Sequence, residues 1–119
     1  MSTINIRGAI TCENTKEDIL EKTEEMLVKI MKDNSLEIDD IYAILFTATK
    51  DLDKVYPAVA ARKIGITRAA LMCMQEMYVE GSLEKCVRVM VTAESEVKQA
   101  EVNHVYLGGA EKLRPDLKK

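Results

Sequence analysis

An arginine sits in the middle of Cys86-Val87-Arg88-Val89-Met90-Val91, a run whose β-branched residues and period-two layout read as a half-buried strand. This single charge limits what the chain can fold into. Desolvating a guanidinium is costly unless it is paired and hydrogen-bonded, so Arg88 needs a protein carboxylate, bulk water at a sheet edge, or a bound anion. On an edge strand it would simply snorkel to solvent. Facing a bound anion it would be functional. Glu76, within Cys73-Met74-Gln75-Glu76-Met77, is a second charge in apolar company.

The rest of the chain supplies strands and two helices around this pair. Ile4, Ile6, Gly8 and Ile10 alternate with Asn5, Arg7, Ala9 and Thr11, predicting a strand over Ile4–Cys12 with Arg7 on its more polar face. Gly8 admits a close approach by a ligand or another backbone, and a bulge explains it equally well. Asn14 to Asp18 carry capping signals. A long amphipathic helix follows, with Ile19, Leu20, Met26, Leu27, Ile30 and Met31 at helical spacing, ending at Asp33-Asn34-Ser35. Leu36 to Asp40 reads as a turn, and Ile41–Ala48 as a central strand buried on both faces. Pro57 opens a second helix that runs to Ile64 and stops at Gly65.

Ala69–Met77 is a third strand candidate, and Gly81-Ser82 suggests an antiparallel hairpin between it and the Arg88 strand. Regular alternation puts Cys73 and Glu76 on opposite faces, so they share a site only if the strand is irregular between them. Ser95 to Glu101 reads as one or two helical turns. Asn103–Leu107 is a last strand, closed by Gly108-Gly109, and the polar end from Ala110 to Lys119 reads as a mobile tail. The fold class is therefore α/β (α+β): one mixed sheet with two helices packed largely on one side. Such a sheet leaves its other face apolar, which favours an oligomer.

A chain of 119 residues holds one domain, spanning residues 1–119. Its net charge of -3 and sequence pI near 5.3 leave no basic stripe for a nucleic-acid backbone, and 4% aromatic content gives few bases a surface to stack on. Cys12, Cys73 and Cys86 form no C-x-x-C pair and no even set, so reduced thiols in a cytoplasmic setting are expected. No signal-peptide pattern or membrane-length apolar run is visible. His104 is the only histidine, and no metal-ligand spacing or serine elbow accompanies it. It reads as a strand histidine with a satisfied hydrogen bond. What remains is a set of fixed charges and donors: Arg7, Glu76, Arg88 and Tyr106, with Arg62 and Arg114 available from a helix and the tail. Two arginines and a tyrosine that converge can hold a carboxylate-bearing small molecule, because the planar guanidinium fork matches a carboxylate bidentately.

These residues carry a resemblance. Arg7-Gly8-Ala9-Ile10-Thr11, Thr49 to Asp53 followed by Tyr56-Pro57-Ala58, Cys73 to Met77, Lys85 to Met90, His104 to Leu107 and Leu113-Arg114-Pro115-Asp116-Leu117 are together similar to the monofunctional chorismate mutases of the trimeric pseudo-α/β-barrel class. The similarity runs over nearly the whole chain in order. It implies a homotrimer with active sites between neighbouring subunits. It also implies conversion of chorismate to prephenate, a step toward aromatic amino acids, without a cofactor. By the same resemblance Arg88 faces the ether oxygen and a carboxylate, Arg7 and Tyr106 hold the enolpyruvyl carboxylate, and Glu76 and Cys73 meet the ring hydroxyl. Tyr56 would wall the pocket from the adjacent subunit, with Arg62, Leu113 and Arg114 toward its mouth. Val59 and Met72 depart from the pattern, standing where a lysine and a threonine occur. Two other readings compete with the mutase: a carboxylate-metabolite binding trimer without catalysis, and an imine or enamine deaminase of similar architecture. Glu76 and Tyr106 beside two arginines favour the mutase.

Overall fold

The computed structural model describes residues 1–113. Strand β1 (Ser2–Thr11) turns its alternate residues Ile4, Ile6, Gly8 and Ile10 into the core, as their spacing predicts. Helix α1 (Lys16–Asp33) begins at Thr15, whose hydroxyl accepts the Asp18 backbone N–H at 3.0 Å. Asp18 in turn accepts the Glu13 backbone N–H and pairs with Lys22, and these contacts hold its carboxyl below the usual carboxylate range. A short 3₁₀ turn (Ile38–Asp40) leads into β2 (Ile41–Ala48), and α2 (Ala58–Lys63) follows Pro57. The remaining strands are β3 (Ala70–Gln75), β4 (Cys86–Ser95) and β5 (Val105–Leu107), with 3₁₀ turns at Gln99–Glu101 and Gly108–Lys112.

The five strands form one mixed sheet in the order β3-β2-β4-β1-β5. Strand β4 is the middle strand, antiparallel to both β1 and β2, while the edge strands β5 and β3 run parallel to β1 and β2. Both helices cover one face. Ile4, Ile6, Ile10, Ile44, Phe46, Val87, Val89 and Val91 are buried there against Ile19, Met26, Leu27 and Ile30 of α1 and Ala58 and Ala61 of α2. The opposite face is open, with Tyr42, Met72, Met74 and Met90 all substantially exposed.

Several local expectations change. The hairpin between β3 and β4 does not form, because α2 carries the chain back so that β3 lies parallel to β2, whose other side is taken by β4. Strand β3 stops at Gln75, and residues 76–85 form an irregular connection. Strand β2 is buried on one face only, since none of the described residues covers the outer side of Tyr42, which is 50% exposed. The expected helical turns over 95–101 shrink to Gln99–Glu101, because β4 continues to Ser95 in register with Ser2. Of the polar end from Ala110, the first residues pack: Ala110 is fully buried against Ala9, Cys86 and Tyr106, with Leu113 beside them. Residues 114–119 lie outside the described residues.

Gly8 is explained by a close approach rather than a bulge. A β-carbon there would stand 2.8 Å from Ile30 Cδ1, 3.0 Å from Val89 Cγ2 and 3.1 Å from Met26 Sδ. All three neighbours are buried, so α1 rests on β1 at this point with no room for a methyl group. Gly8→Ala is expected to lower unfolding free energy by about 1–2 kcal/mol, the usual cost of overpacking, measured as a shift in urea midpoint at unchanged slope. An unchanged midpoint would mean that the helix does not seat on Gly8.

Candidate active site

The register of the sheet aligns side chains from all five strands on the open face. Met74 pairs with Thr47, Thr47 with Arg88, Arg88 with Ala9, and Ala9 with Tyr106. These residues make one lateral row running from β3 to β5. A second row, Met72-Leu45-Met90-Arg7, lies alongside it. Ala9, the smallest member of the first row, lies between Arg88 and Tyr106, and a hollow opens on this face over the two rows. The hollow has a volume of about 250 Å³ and is lined by Arg7, Gly8, Leu45, Thr47, Met74, Glu76, Arg88, Val89, Met90 and Tyr106. Four residues singled out from the sequence therefore meet in one place: Arg7, Glu76, Arg88 and Tyr106.

Arg88 is not an edge-strand arginine. It projects from the central strand, where its neighbours exclude much of the surrounding water, yet its side chain remains 45% exposed toward the open face. Its partner is Glu76, with Arg88 Nε 3.6 Å from Glu76 Oε1. That spacing is too long for a hydrogen bond and leaves the pair loose. Glu76 reaches this face by the same alternation that turns out Met72 and Met74: although it lies one residue past the end of β3, its backbone N–H still donates to the Ala48 carbonyl at 2.9 Å.

Thr47, which sequence reasoning passed over, holds the carboxylate. Its hydroxyl donates to Glu76 Oε1 at 2.5 Å, the same oxygen that faces Arg88. The signal was a hydroxyl in the apolar run Ile41–Ala48, where a buried donor needs an acceptor. Glu76 Oε1 is thus shared between a hydroxyl and a guanidinium, and Oε2 has no hydrogen bond recorded among the described residues. A carboxylate fixed through one oxygen can accept from a ligand hydroxyl through the other.

The structure separates the other predicted residues from this hollow. Cys73 lies on β3 opposite Phe46 and packs against the helix-side core, so its side chain does not share a face with Glu76 in the protomer. It lines a different depression, of about 590 Å³, together with Lys50, Asp53, Tyr56 and Pro57. Tyr56 is 72% exposed at its rim, and Arg62 is exposed on α2. Met74 lines both depressions. Leu113 sits beside Tyr106 and Ala110, and Arg114 lies outside the described residues.

Neither remaining thiol is poised as a nucleophile. Burial pushes Cys12 up to about 11. Burial also raises Cys86, although neighbouring Arg88 pulls it the other way. Among the described residues no cluster of three His, Cys, Asp or Glu side chains has the arrangement of a metal site. No described helix is long and apolar enough to cross a membrane. The hollow combines two guanidiniums, one carboxylate and a phenol on rigid strands, which suits an anionic ligand that also carries a hydroxyl.

Comparison with known proteins agrees with this chemistry. Chorismate mutase AroH of Bacillus subtilis (strain 168) is 46% identical over 114 residues, covering 94% of this chain and 90% of that one. Chorismate mutase AroH of Thermus thermophilus is 43% identical over 114 residues, covering 94% and 93%. The solved chorismate mutase from Clostridium thermocellum superposes with a TM-score of 0.88 at 49% identity, covering 90% of this chain and 96% of that one. The family model for chorismate mutase type I matches residues 3–117. Sequence and fold together place the chain in the type I chorismate mutase family.

Proposed function

We propose that this protein catalyses the Claisen rearrangement of chorismate to prephenate, an isomerisation on the route to aromatic amino acids, in the hollow lined by Arg7, Glu76, Arg88 and Tyr106. The observation that carries the reading is the lateral row that sets Arg88 and Tyr106 on either side of Ala9, with Arg7 and Glu76 in the same hollow. The reaction breaks one C–O bond and forms one C–C bond within a single molecule. It calls for no nucleophile, base or electron carrier. What it calls for is a folded substrate and charge stabilisation. The enolpyruvyl arm must lie over the ring in a chair-like conformer, and negative charge grows on the ether oxygen as the C–O bond lengthens.

Each side chain has a part in that task. Arg88 meets the ether oxygen and one carboxylate, and its fixed charge is worth most where water is excluded and the charge is developing. Arg7 and Tyr106 hold the enolpyruvyl carboxylate. Glu76, pinned by Thr47, accepts the ring hydroxyl through its second oxygen. Arg62 and Leu113 are assigned to the mouth of the cleft that two copies would share.

The hollow of a single protomer is incomplete. Its volume of about 250 Å³ is below the roughly 300–1,000 Å³ typical of small-molecule sites, and the face around it exposes Met72, Met74, Met90 and Tyr42. A neighbouring copy covering this face would bury those side chains and dry the cleft. We assign the protein to a homotrimer in which the Tyr56–Cys73 depression of one protomer faces the Arg88 hollow of the next. Cys73 then reaches the ring hydroxyl from the neighbouring chain, which resolves its separation from Glu76. The protein works in the cytoplasm on free chorismate, with no nucleic acid or membrane partner.

Four outcomes follow. Loss of the chorismate ultraviolet absorbance, with prephenate identified as product, tests the reaction; binding without turnover would leave only the carboxylate-binding reading. Arg88→Ala should lower kcat by about 10²–10³ while changing KM far less, and Arg88→Lys should also be poor, since one ammonium cannot hold two oxygens as a planar fork does. Near-normal turnover in Arg88→Ala would remove Arg88 from the mechanism. Thr47→Val should reduce kcat/KM about tenfold, the size of one lost hydrogen bond to a charged group, with Thr47→Ser close to the parent enzyme. Equal rates for all three would mean that Glu76 is held by other contacts. Light scattering should give three times the 13.4 kDa protomer mass, and a monomer at working concentration would contradict the shared site.

A further inference from the structure

The outer edge of β1 is satisfied in an unusual way before β5 begins. Asn5 exchanges both of its backbone hydrogen bonds with the Gln99 side chain, the N–H donating to Oε1 and the carbonyl accepting from Nε2, each at 2.7 Å. Two residues on, the Arg7 backbone N–H donates to His104 Nδ1 at 2.9 Å. Regular pairing with β5 starts only at Gly8 opposite Val105. Side chains from the final segment therefore stand in for a missing stretch of strand, and His104 supplies the last stand-in before the ladder. Its place is fixed from behind. The Asn103 backbone N–H donates to Asn34 Oδ1 at 2.8 Å, and the Asn103 carbonyl accepts from Asn34 Nδ2 at 2.9 Å, tying residue 103 to the end of α1.

We propose that His104 is a positioning residue for the carboxylate-binding pair Arg7 and Tyr106, acting through a neutral imidazole that carries its proton on Nε2. An Nδ1 that accepts a backbone N–H bears no proton, so the tautomer follows from the bond. Protonation would set an Nδ1–H donor against the Arg7 N–H donor and open the junction where β1 and β5 meet. Arg7 lies on one side of that junction, and Tyr106 pairs with Ala9 on the other. The acceptor exists only in the neutral form, so its contribution is present while the imidazole is neutral and is lost as the ring takes up a proton. Among the described residues, the charged groups that line the depression with this ring are Lys29 and Asp33 from α1 and Glu111 from the last 3₁₀ turn, and the Arg7 backbone is bonded to the ring itself.

The kinetic consequences rest on the mutase reading; the bond itself does not, and two measurements keep them apart. Long-range ¹H–¹⁵N correlation on the full-length protein observes a single imidazole, because the chain has one histidine. It should report the Nε2–H tautomer near pH 8, and the Arg7 amide should shift along the same titration curve. An Nδ1–H tautomer, or an Arg7 amide indifferent to the titration, would overturn the proposal whatever the activity. In steady-state kinetics from pH 5 to 9, His104→Ala should raise KM about tenfold at pH 8 with little change in kcat. His104→Asn, whose Oδ1 can occupy the Nδ1 position, should restore KM and abolish the acid limb seen in the parent. An identical acid limb in His104→Asn, or an unperturbed KM in His104→Ala, would equally overturn it. Should the spectroscopic result hold while chorismate is not turned over, the mutase reading falls and the junction stands.

Discussion

The placement of both helices on one face of a five-stranded sheet governs everything else in this molecule. The core needs only one side of each strand, so the outer side of the central strand β4 is available for a charge that the interior could not tolerate. Arg88 uses that freedom. It stands on the most rigidly flanked strand of the sheet, paired on both sides, yet its guanidinium avoids the full desolvation penalty of a core position. A single loose carboxylate partner at 3.6 Å leaves much of its electrostatic potential available to a ligand.

Preorganisation follows from the sheet register. Neighbouring strands stand about 5 Å apart, so Arg88 and Tyr106, two strands apart across Ala9, span roughly 10 Å, a distance comparable to a small dicarboxylate. Backbone pairing fixes their spacing before any ligand arrives. Individual contacts beside the row add to this: Thr47 tethers the Glu76 carboxylate, and His104 holds the backbone beneath Arg7. A reaction that needs no proton transfer gains chiefly from such fixed geometry and charge, because little reorganisation remains at the moment the bond breaks.

Much of this was legible in the amino-acid order, and the failures have physical causes. The alternation over Ile4–Ile10 and the capping signals near Thr15 are local, and both elements formed where the spacing put them. Arg88 was legible because a charge within a β-branched run is an exception that demands an explanation. The proposed β3–β4 hairpin failed because strand pairing is a long-range choice: Gly81-Ser82 is compatible with a tight turn, but β2 competes for the same edge and wins through the α2 crossover. Thr47 was overlooked because its acceptor, Glu76, is remote in sequence and lies beyond a strand end that alternation alone does not mark. The family resemblance named candidate site residues, and the period-two alternation, which put Cys73 and Glu76 on opposite faces, holds within the protomer.

Cys73 and Tyr56 are separated from Arg88 within the protomer, so the proposed site is complete only if a second copy of the chain supplies them. The most direct test is a crystal structure of the protein with an unreactive bicyclic ether dicarboxylate shaped like the folded reactant. The account predicts the ligand against the Met74-Thr47-Arg88-Ala9-Tyr106 row, its ether oxygen on the Arg88 guanidinium, and a second protomer's Tyr56 and Cys73 closing the cleft. A ligand bound away from Arg88, or an outer sheet face left open to solvent in the assembled protein, would contradict it.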